Sequence, residues 1–404
     1  MVPTKSSGQV KRGYMLRSEP WNMLLWSLDG LLQLLGPTNQ KEIPMPVRRI
    51  LVCNNAHLGD LVNATVILAP LRKLFPDAQI GFLTSSWSVP VIKSNPEVSY
   101  IHTFDHFLLN RSDLPLLRKI KEHITTARRA IRQLQELRYE VGIDTYHFIQ
   151  NSIPLLWLAR IPVRIGYSSG GFGPLLTHAH PWVARDRHLV DYHLDLLRPL
   201  GLNCELRQTA RPIVARHRDA EVTALPQDYI VLHPASGASF REWPVENWAL
   251  LARKLAEAGW KIILTGSGAR EQKKVEVIRS ACPGSIDLCG CLSWEQFVYV
   301  LESARLLVGV ESTAGHTAAA VSTPCVVIYS GTTNTLQMRP FGTAVRTISH
   351  AVPCAPCFRT GGCSGMECVR GVPVDRVFKA CLESLRCYPK AAAKSNPASV
   401  RSRK

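Results

Sequence analysis

The sequence predicts an α/β protein with two Rossmann-like, doubly wound domains that face a cleft. Short apolar runs of strand length alternate with helical patterns, and such alternation produces parallel sheets joined by crossover helices. The alternation occurs in two series, separated by a less regular, proline-containing stretch at residues 203–227. A chain of 404 residues is long for one hydrophobic core and suits roughly two domains.

The elements follow this pattern in order. The first series has predicted strands at Ile50–Cys53, Ile80–Thr84, Ser99–Phe104, Val141–Thr145 and Val163–Tyr167, with helices at Leu61–Leu74 and Leu114–Leu137. The second has strands at Tyr229–His233, Ile262–Thr265, Ile286–Cys289, Leu306–Val310 and Val326–Tyr329, with helices at Trp248–Ala258, Glu271–Ser280 and Trp294–Ser303. We therefore predict an N-terminal extension at 1–45, domains at 46–215 and 216–388, and a disordered basic tail at 389–404.

Composition restricts the function classes. The chain is 46% apolar and 20% charged, as in globular proteins, and its net charge is +17. A basic surface attracts nucleic acid, anionic lipid headgroups or phosphorylated small molecules. No RNA-binding signature with interleaved aromatic residues occurs, so we expect no nucleic acid partner. Twelve cysteines without a secretory signal indicate a reducing compartment, and we expect a cytoplasmic protein.

An apolar segment, Trp21–Gly36, lies within the predicted N-terminal extension. It is short for a membrane span, which needs about 20 residues, and it contains Asp29 and Gln33. Its leucines fall on one helical face, and basic residues precede it. The pattern suits a peripheral helix on the inner membrane face, or equally a helix packed on the protein's own body.

The loop after the first predicted strand carries Gly59 and Asp60 at the start of a helix. Ligands of doubly wound domains bind beyond the carboxyl ends of the strands, so an acid at this place can take part in chemistry. An Asp at a helix start is also often only a cap, and the helix dipole should lower its pKa. From position alone, both roles stay open.

The second series offers two loops for an anion. After Tyr229–His233 come Ser236, Gly237 and Arg241, where small residues let backbone N–H groups approach a phosphate and an arginine can clamp it. The same loop could be only a turn. The second loop follows Val310, and it places small, hydroxyl and histidine residues at the start of an Ala-rich helix: Glu311, Ser312, Thr313, Gly315 and His316.

Hydroxyls and small residues at a helix start suit a diphosphate with its attached sugar. Otherwise Ser312 or Thr313 caps the helix and His316 is an ordinary surface histidine. A third loop, Ser330–Asn334, could add hydroxyl donors. Glu271, after another strand, could take ribose hydroxyls or be a first-turn helix acid.

Four cysteines cluster near the end of the second series, at Cys354, Cys357, Cys363 and Cys368. Thiolates at this spacing could hold structural zinc, or reduced cysteines could pack a small subdomain. The spacing is not a common zinc pattern, so we predict no metal.

These segments together resemble glycosyltransferase family 9, the ADP-heptose:lipopolysaccharide heptosyltransferases and their relatives. The resemblance runs from about Arg48 to Cys387. It is carried by residues 48–76 (RRILVCNNAHLGDLVNATVILAPLRKLFP), Ala159–Tyr167, His188–Gly201, His233–Leu255, Gly309–Pro324 and the late Cys-x2-Cys segment.

The resemblance implies a GT-B fold and transfer of a sugar, with inversion and without metal or another cofactor, from a nucleotide diphosphate such as ADP-heptose. The expected acceptor is a lipopolysaccharide core or related glycan, bound by the N-terminal domain. Asp60 resembles the family's general base, Arg241 its basic residue before the Trp-Pro helix, and Ser236 its nucleotide-contacting small residue.

The chain departs from the family pattern at two positions, where Glu311 replaces Asp and Thr313 replaces Gly. Two other functions therefore stay open beside heptose transfer. One is the transfer of a different nucleotide sugar, and the other is non-catalytic binding of nucleotides or polyanions.

Overall fold

The computed structural model describes residues 19–34, 41–183, 186–215, 222 and 225–389. It contains two parallel six-stranded sheets, one in each half of the chain. The first sheet has the strand order β3-β2-β1-β4-β5-β6. Its strands are β1 (Arg49–Asn54), β2 (Gln79–Thr84), β3 (Tyr100–Thr103), β4 (Val141–Asp144), β5 (Val163–Tyr167) and β6 (His178–His180).

The second sheet has the order β12-β11-β10-β7-β8-β9. Its strands are β7 (Tyr229–His233), β8 (Lys261–Leu264), β9 (Ile286–Asp287), β10 (Leu306–Val310), β11 (Cys325–Ile328) and β12 (Val345–Ile348). Counted within each half, both sheets follow the doubly wound order 3-2-1-4-5-6, which confirms the predicted fold class. The edge strands β6 and β12 were not predicted from the sequence, because they are short and only partly buried.

The helices connect the strands as the alternating pattern predicts. They are α1 (Glu19–Leu34), α2 (Leu58–Ala64), α3 (Leu68–Leu74), α4 (Val89–Ile92), α5 (Leu116–Leu137), α6 (Ile153–Leu158), α7 (Leu189–Asp195), α8 (Cys204–Thr209), α9 (Val245–Glu257), α10 (Ala269–Ala281), α11 (Trp294–Ser303), α12 (Thr313–Ala320), α13 (Thr335–Met338), α14 (Glu367–Arg370) and α15 (Val374–Cys387). The helix predicted at Leu61–Leu74 begins three residues earlier, at Leu58, and a 3-10 turn at Thr65–Ile67 divides it.

One apolar cluster extends through the inner layers of both halves. It joins Leu61 and Ile67 of the first half to Val298, Ala314 and Ala318 of the second. The outer face of the first sheet is covered by α5 and α6, and that of the second by α9, α10 and α15. The inner helices α2 and α12 therefore begin at the place where the two sheets face each other.

Three further predictions from the sequence concern a membrane-spanning helix, the two ends of the chain and a metal site. Within the described residues, no helix combines the length and the apolar character that crossing a bilayer requires. The end of the predicted 21–36 helix and the tail at 390–404 lie outside the described residues. Among the described residues, no three His, Cys, Asp or Glu side chains are grouped to hold a metal, and Cys368 is buried in the core of the second half.

Candidate active site

The carboxyl ends of the strands of both halves open onto one cleft of about 500 Å³. Every site residue predicted from the sequence lines it, except Gly315. The predicted residues in the wall are Gly59, Asp60, Ser236, Gly237, Arg241, Glu271, Glu311, Ser312, Thr313 and His316. Gly315 faces away, because a Cβ there would lie 3.1 Å from Pro340 and 3.2 Å from Val327.

Asp60 lies in the first turn of α2, after the N-cap residue His57, and its half-buried carboxylate faces the cleft. Burial raises the pKa of Asp60, while the His57 backbone, Arg241 and Arg111 act in the opposite direction. The prediction that the helix dipole would lower this pKa is wrong, because the cleft walls shield the carboxylate from water. A carboxylate with a raised pKa is a better proton acceptor near neutral pH.

Gly59 brings the loops of the two halves together. A Cβ at this position would lie 3.1 Å from Cδ2 of His316 and 3.6 Å from Cα of Thr313. A Cβ here would require the His316 ring to shift by a few tenths of an ångström, so glycine is the residue that fits the close approach of α2 to α12 without a shift. The acid of the first half and the helix start of the second therefore share one small volume.

Arg241 is held by a short segment that begins α9. Trp243 is buried, donates a hydrogen bond from Nε1 to the Val372 carbonyl at 3.0 Å, and packs edge-to-face on Trp248. Pro244 then takes the N-cap position. The arginine before this anchor reaches into the cleft and forms an ion pair with Glu311 at 2.9 Å. Its buried Nε has no hydrogen-bond partner within the described part of the chain.

Glu311, at the end of β10, is 6% exposed and accepts hydrogen bonds from the Thr333 hydroxyl at 3.1 Å. Burial raises its pKa, and Arg241 and nearby hydroxyls lower it. The third loop predicted to supply hydroxyls, Ser330–Asn334, thus acts on Glu311. None of its residues lines the cleft.

The start of α12 presents two buried groups that lack partners among the described residues. Ser312 occupies the N-cap position, yet its hydroxyl makes no capping hydrogen bond. Nδ1 of His316 is also unpartnered, and this side chain is only 8% exposed rather than a surface histidine. Burial lowers the pKa of His316 to about 4, so the ring is neutral at pH 7. Buried polar groups without partners are uncommon, and both face the cleft.

Glu242, a buried residue that the sequence did not indicate, fixes the conformation of the loop at Ser236. Glu242 accepts from the Ser236 backbone N–H at 2.9 Å and from Arg270 at 2.6 Å, and it also pairs with Lys274. Arg270 in turn donates to the Ser236 carbonyl at 2.6 Å. The Ser236 hydroxyl donates to the Glu311 carbonyl at 3.0 Å. Glu242 therefore sets the loop shape without lining the cleft.

Glu271 serves locally as a first-turn acid. One of its carboxylate oxygens accepts from the Ser267 backbone N–H at 2.7 Å, and burial raises its pKa. It also lines the cleft.

Three aromatic side chains, Trp294, Phe297 and His233, line the cleft as well. The ring of Phe297 lies 6.0 Å from the ring of Trp294 and 5.8 Å from the ring of His233, measured between centroids. Such an aromatic wall suits the flat face of a nucleobase.

Arg111 is the second residue of the site that was not predicted from the sequence. It belongs to the loop after β3, and its guanidinium reaches across the cleft mouth to Gly237, where a Cβ would overlap it. It stabilises the ionised form of Asp60. The rule that ligands bind beyond the strand ends indicates this loop, but nothing in the sequence selects Arg111 from its neighbours.

The cleft thus combines a carboxylate, two arginines, a helix start with unused hydrogen-bonding groups, and an aromatic wall. Positive groups at a helix start bind phosphates, and a shielded carboxylate can accept a proton from a hydroxyl. This arrangement suits group transfer from a nucleoside diphosphate.

Comparisons with known proteins agree with this chemistry. The profile of glycosyltransferase family 9 (heptosyltransferase) matches residues 127–365. The chain is 24% identical over 295 residues to lipopolysaccharide heptosyltransferase 3 of Escherichia coli, covering 70% of this chain and 83% of that protein. It is 22% identical over 323 residues to lipopolysaccharide heptosyltransferase 1 of Pseudomonas aeruginosa, covering 77% and 86%.

Solved structures share the fold. ADP-heptose lps heptosyltransferase II of E. coli superposes with a TM-score of 0.65 at 18% identity, covering 84% of this chain and 99% of that one. A glycosyl transferase family 9 structure from Veillonella parvula superposes at 0.68 and 17%, covering 87% and 100%. With the sheet order and the cleft, these matches confirm the GT-B fold. The chain belongs to glycosyltransferase family 9 and is a glycosyltransferase.

Proposed function

We propose that this protein transfers a heptosyl group from ADP-heptose to a lipopolysaccharide-core or related glycan acceptor in the cytoplasm, with inversion and without metal. The observation that carries the proposal is the close approach of Asp60 to the start of α12, through Gly59 packed on His316. The heptosyltransferase relatives and the ADP-heptose enzyme among the structural neighbours support the choice of sugar and donor.

The donor binds on the second half. Its diphosphate lies at the start of α12, where Ser312 and the backbone N–H groups donate to it, and Arg241 supplies positive charge through its unused Nε. The nucleobase packs on the aromatic wall of Trp294 and Phe297. Arg241 and the helix start offset the charge that develops on the leaving diphosphate, so no metal is needed for that role.

The acceptor enters from the first half. Its hydroxyl oxygen attacks the anomeric carbon and forms the new C–O bond, while the bond to the diphosphate oxygen breaks and that oxygen keeps the electron pair. The proton of the hydroxyl goes to the carboxylate of Asp60. Attack on the face opposite the leaving group inverts the anomeric configuration. Arg111, with Arg241, favours the ionised form of Asp60, and it offers its other N–H groups to an anionic acceptor.

The departures from the family pattern lie where the diphosphate and the attached sugar of the donor are proposed to bind. Glu311 is one methylene longer than Asp and is tied to Arg241 and Thr333. Thr313 stands against Gly59 at the boundary between the two halves. Both changes reshape the wall beside the anomeric carbon, so a donor comparison tests the proposal most sharply.

The test is a donor screen with the purified wild-type chain and a lipopolysaccharide-core acceptor. ADP-heptose and other ADP-, UDP- and GDP-sugars would be compared by the nucleoside diphosphate released and by the mass of the product. We expect ADP-heptose to give the highest kcat/KM and a product heavier by one heptosyl unit. Preference for another sugar would contradict the donor assignment, and binding without turnover of any donor would contradict the transfer itself.

A further inference from the structure

The helix α1 has its polarity reversed relative to an ordinary surface helix. The polar residues Asn22 and Asp29 face the protein and are buried, and Asp29 accepts a hydrogen bond from the Phe172 backbone at 2.8 Å. Leu25 packs against Gly171, and Leu32 joins the cluster around Leu175. The helix is therefore held by its polar side and by two leucines, which agrees with a helix packed on the body.

The opposite side of α1 is apolar and exposed. Its large side chains are between 53% and 81% exposed, and they are Met23, Leu24, Trp26, Leu31 and Leu34. Among the described side chains of α1, the other exposed residues are Pro20, Ser27, Gly30 and Gln33, and none of these is charged. A solvated helix places its charges outward, and a contiguous apolar surface of this kind indicates a binding partner.

A second helix with exposed apolar side chains packs beside α1 on the first half. The helix α6 shares a cluster with α1 through Ile153 and Leu32, and it exposes Trp157 and Leu158. Gln135 of α5 donates to the Leu158 carbonyl at 3.0 Å, so α5 lies beside α6. Three helices thus form one outer layer of the first half.

The charges on that layer are mainly positive. The exposed charged side chains of α5 are Arg118, Lys121, Arg128, Arg129, Arg132 and Glu136. The leucines at its start, Leu116 and Leu117, are exposed as well. This end of α5 follows the loop that carries Arg111, so the layer reaches the mouth of the cleft. Apolar side chains beside a cluster of cations are the features that hold a helix at the surface of an anionic bilayer.

We propose that the outer layer formed by α1, α5 and α6 docks on a bilayer of anionic phospholipid. The apolar face of α1 enters the headgroup region and the cations of α5 bind lipid phosphates. A second copy of this chain fits less well, because both copies would bring the same excess of α5 cations into one interface. The docking would bring the cleft mouth to the membrane, which serves the proposed glycolipid acceptor.

The experiment is sedimentation of the full chain with vesicles of phosphatidylglycerol and phosphatidylethanolamine, compared with phosphatidylcholine vesicles. We expect binding to the anionic vesicles that weakens as salt is raised. The double variant Trp26→Ser/Leu31→Ser should lower the partition coefficient by at least about tenfold. The matched control, Val277→Ser/Leu336→Ser, removes exposed apolar side chains from the second half and should bind as wild type does.

A second measurement locates the contact. Lipids brominated on the acyl chain quench tryptophans that touch them, so Trp26→Phe should lower the quenching seen with wild type, and Trp26→Phe/Trp157→Phe should remove most of it. Equal vesicle binding by all variants, or quenching that survives Trp26→Phe/Trp157→Phe, would overturn the proposal. A change from dimer to monomer in Trp26→Ser/Leu31→Ser, measured by light scattering without lipid, would assign the surface to a second copy. No sugar donor is used, so these results are independent of the proposed function.

Discussion

The loop after the first strand of each sheet occupies the same topological position in the two halves, yet it carries opposite charge. In the first half the loop after β1 leads to Asp60, and in the second the loop after β7 carries Arg241. Both sheets have the order 3-2-1-4-5-6, so the fold places each loop at the cleft. Topology therefore sets the location of the cleft, while individual side chains give each half its charge.

The two charged groups also differ in how they are held. Arg241 is paired with Glu311, whose own carboxylate is bound by Thr333, so its position is fixed before a ligand arrives. Asp60 is influenced by two arginines, but burial outweighs them and raises its pKa. These two states fit the proposed division, in which the second half binds the anion and Asp60 of the first half accepts the proton.

Removing the acid should have the largest effect. Asp60→Asn keeps the size of the side chain but cannot accept a proton, so we expect transfer to fall about 10²–10⁴-fold. Donor binding, measured by calorimetry with ADP, should stay within twofold of wild type. The control Asp77→Asn, at an exposed position after α3, should transfer normally. Transfer at the wild-type rate by Asp60→Asn would show that Asp60 is not the base.

Replacing Arg241, the cation of the second half, should have the next largest effect on transfer. Arg241→Ala withdraws a positive group from the leaving diphosphate and leaves Glu311 buried without its ion pair, so kcat should fall about 10²–10³-fold. Arg241→Lys should recover part of this loss, since lysine keeps the charge but not the two-pronged geometry. ADP binding should weaken in the alanine variant, in contrast to Asp60→Asn. Unchanged binding and turnover would show that the two loops are not divided as proposed.

The sequence predicts most of the strands and many of the residues in the loops of the cleft, but not how those residues contact one another. Apolar runs predicted ten of the twelve strands and placed Asp60, Arg241 and Glu311 at strand ends. The edge strand β6 was missed because His178-Ala-His180 lacks an apolar run. The roles of Arg111 and Glu242 arise from contacts between residues distant in sequence, for which local patterns carry no signal.

Arg111 should show a smaller effect, confined to the first half. Arg111→Ala removes the N–H groups proposed to meet an anionic acceptor, and we expect the acceptor KM to rise roughly tenfold, because one charge-assisted hydrogen bond is lost. ADP binding should change little. The control Arg279→Ala removes an exposed arginine of α10 and should be silent. A larger change in donor binding than in acceptor KM would assign Arg111 to the diphosphate.

The smallest effect is expected where the halves touch. Gly59→Ala adds a Cβ 3.1 Å from the His316 ring, which must move by a few tenths of an ångström. We expect a loss of about 1 kcal/mol in the free energy of unfolding, measured with urea, and a several-fold slower transfer. Full activity and stability would show that the close approach of α2 to α12 is not needed.

The pH dependence of kcat/KM is the decisive measurement for the role of Asp60 as proton acceptor, because kcat/KM reports the pKa values of the free enzyme. The ionised carboxylate is the active form and its pKa is raised above the usual value of 3.8, so activity should be full above that raised pKa. As the pH falls through it, kcat/KM should drop about tenfold per pH unit. The residual activity of Asp60→Asn should lack this acid limb. An acid limb that survives in Asp60→Asn, or is absent from wild type above pH 3.8, would contradict the account.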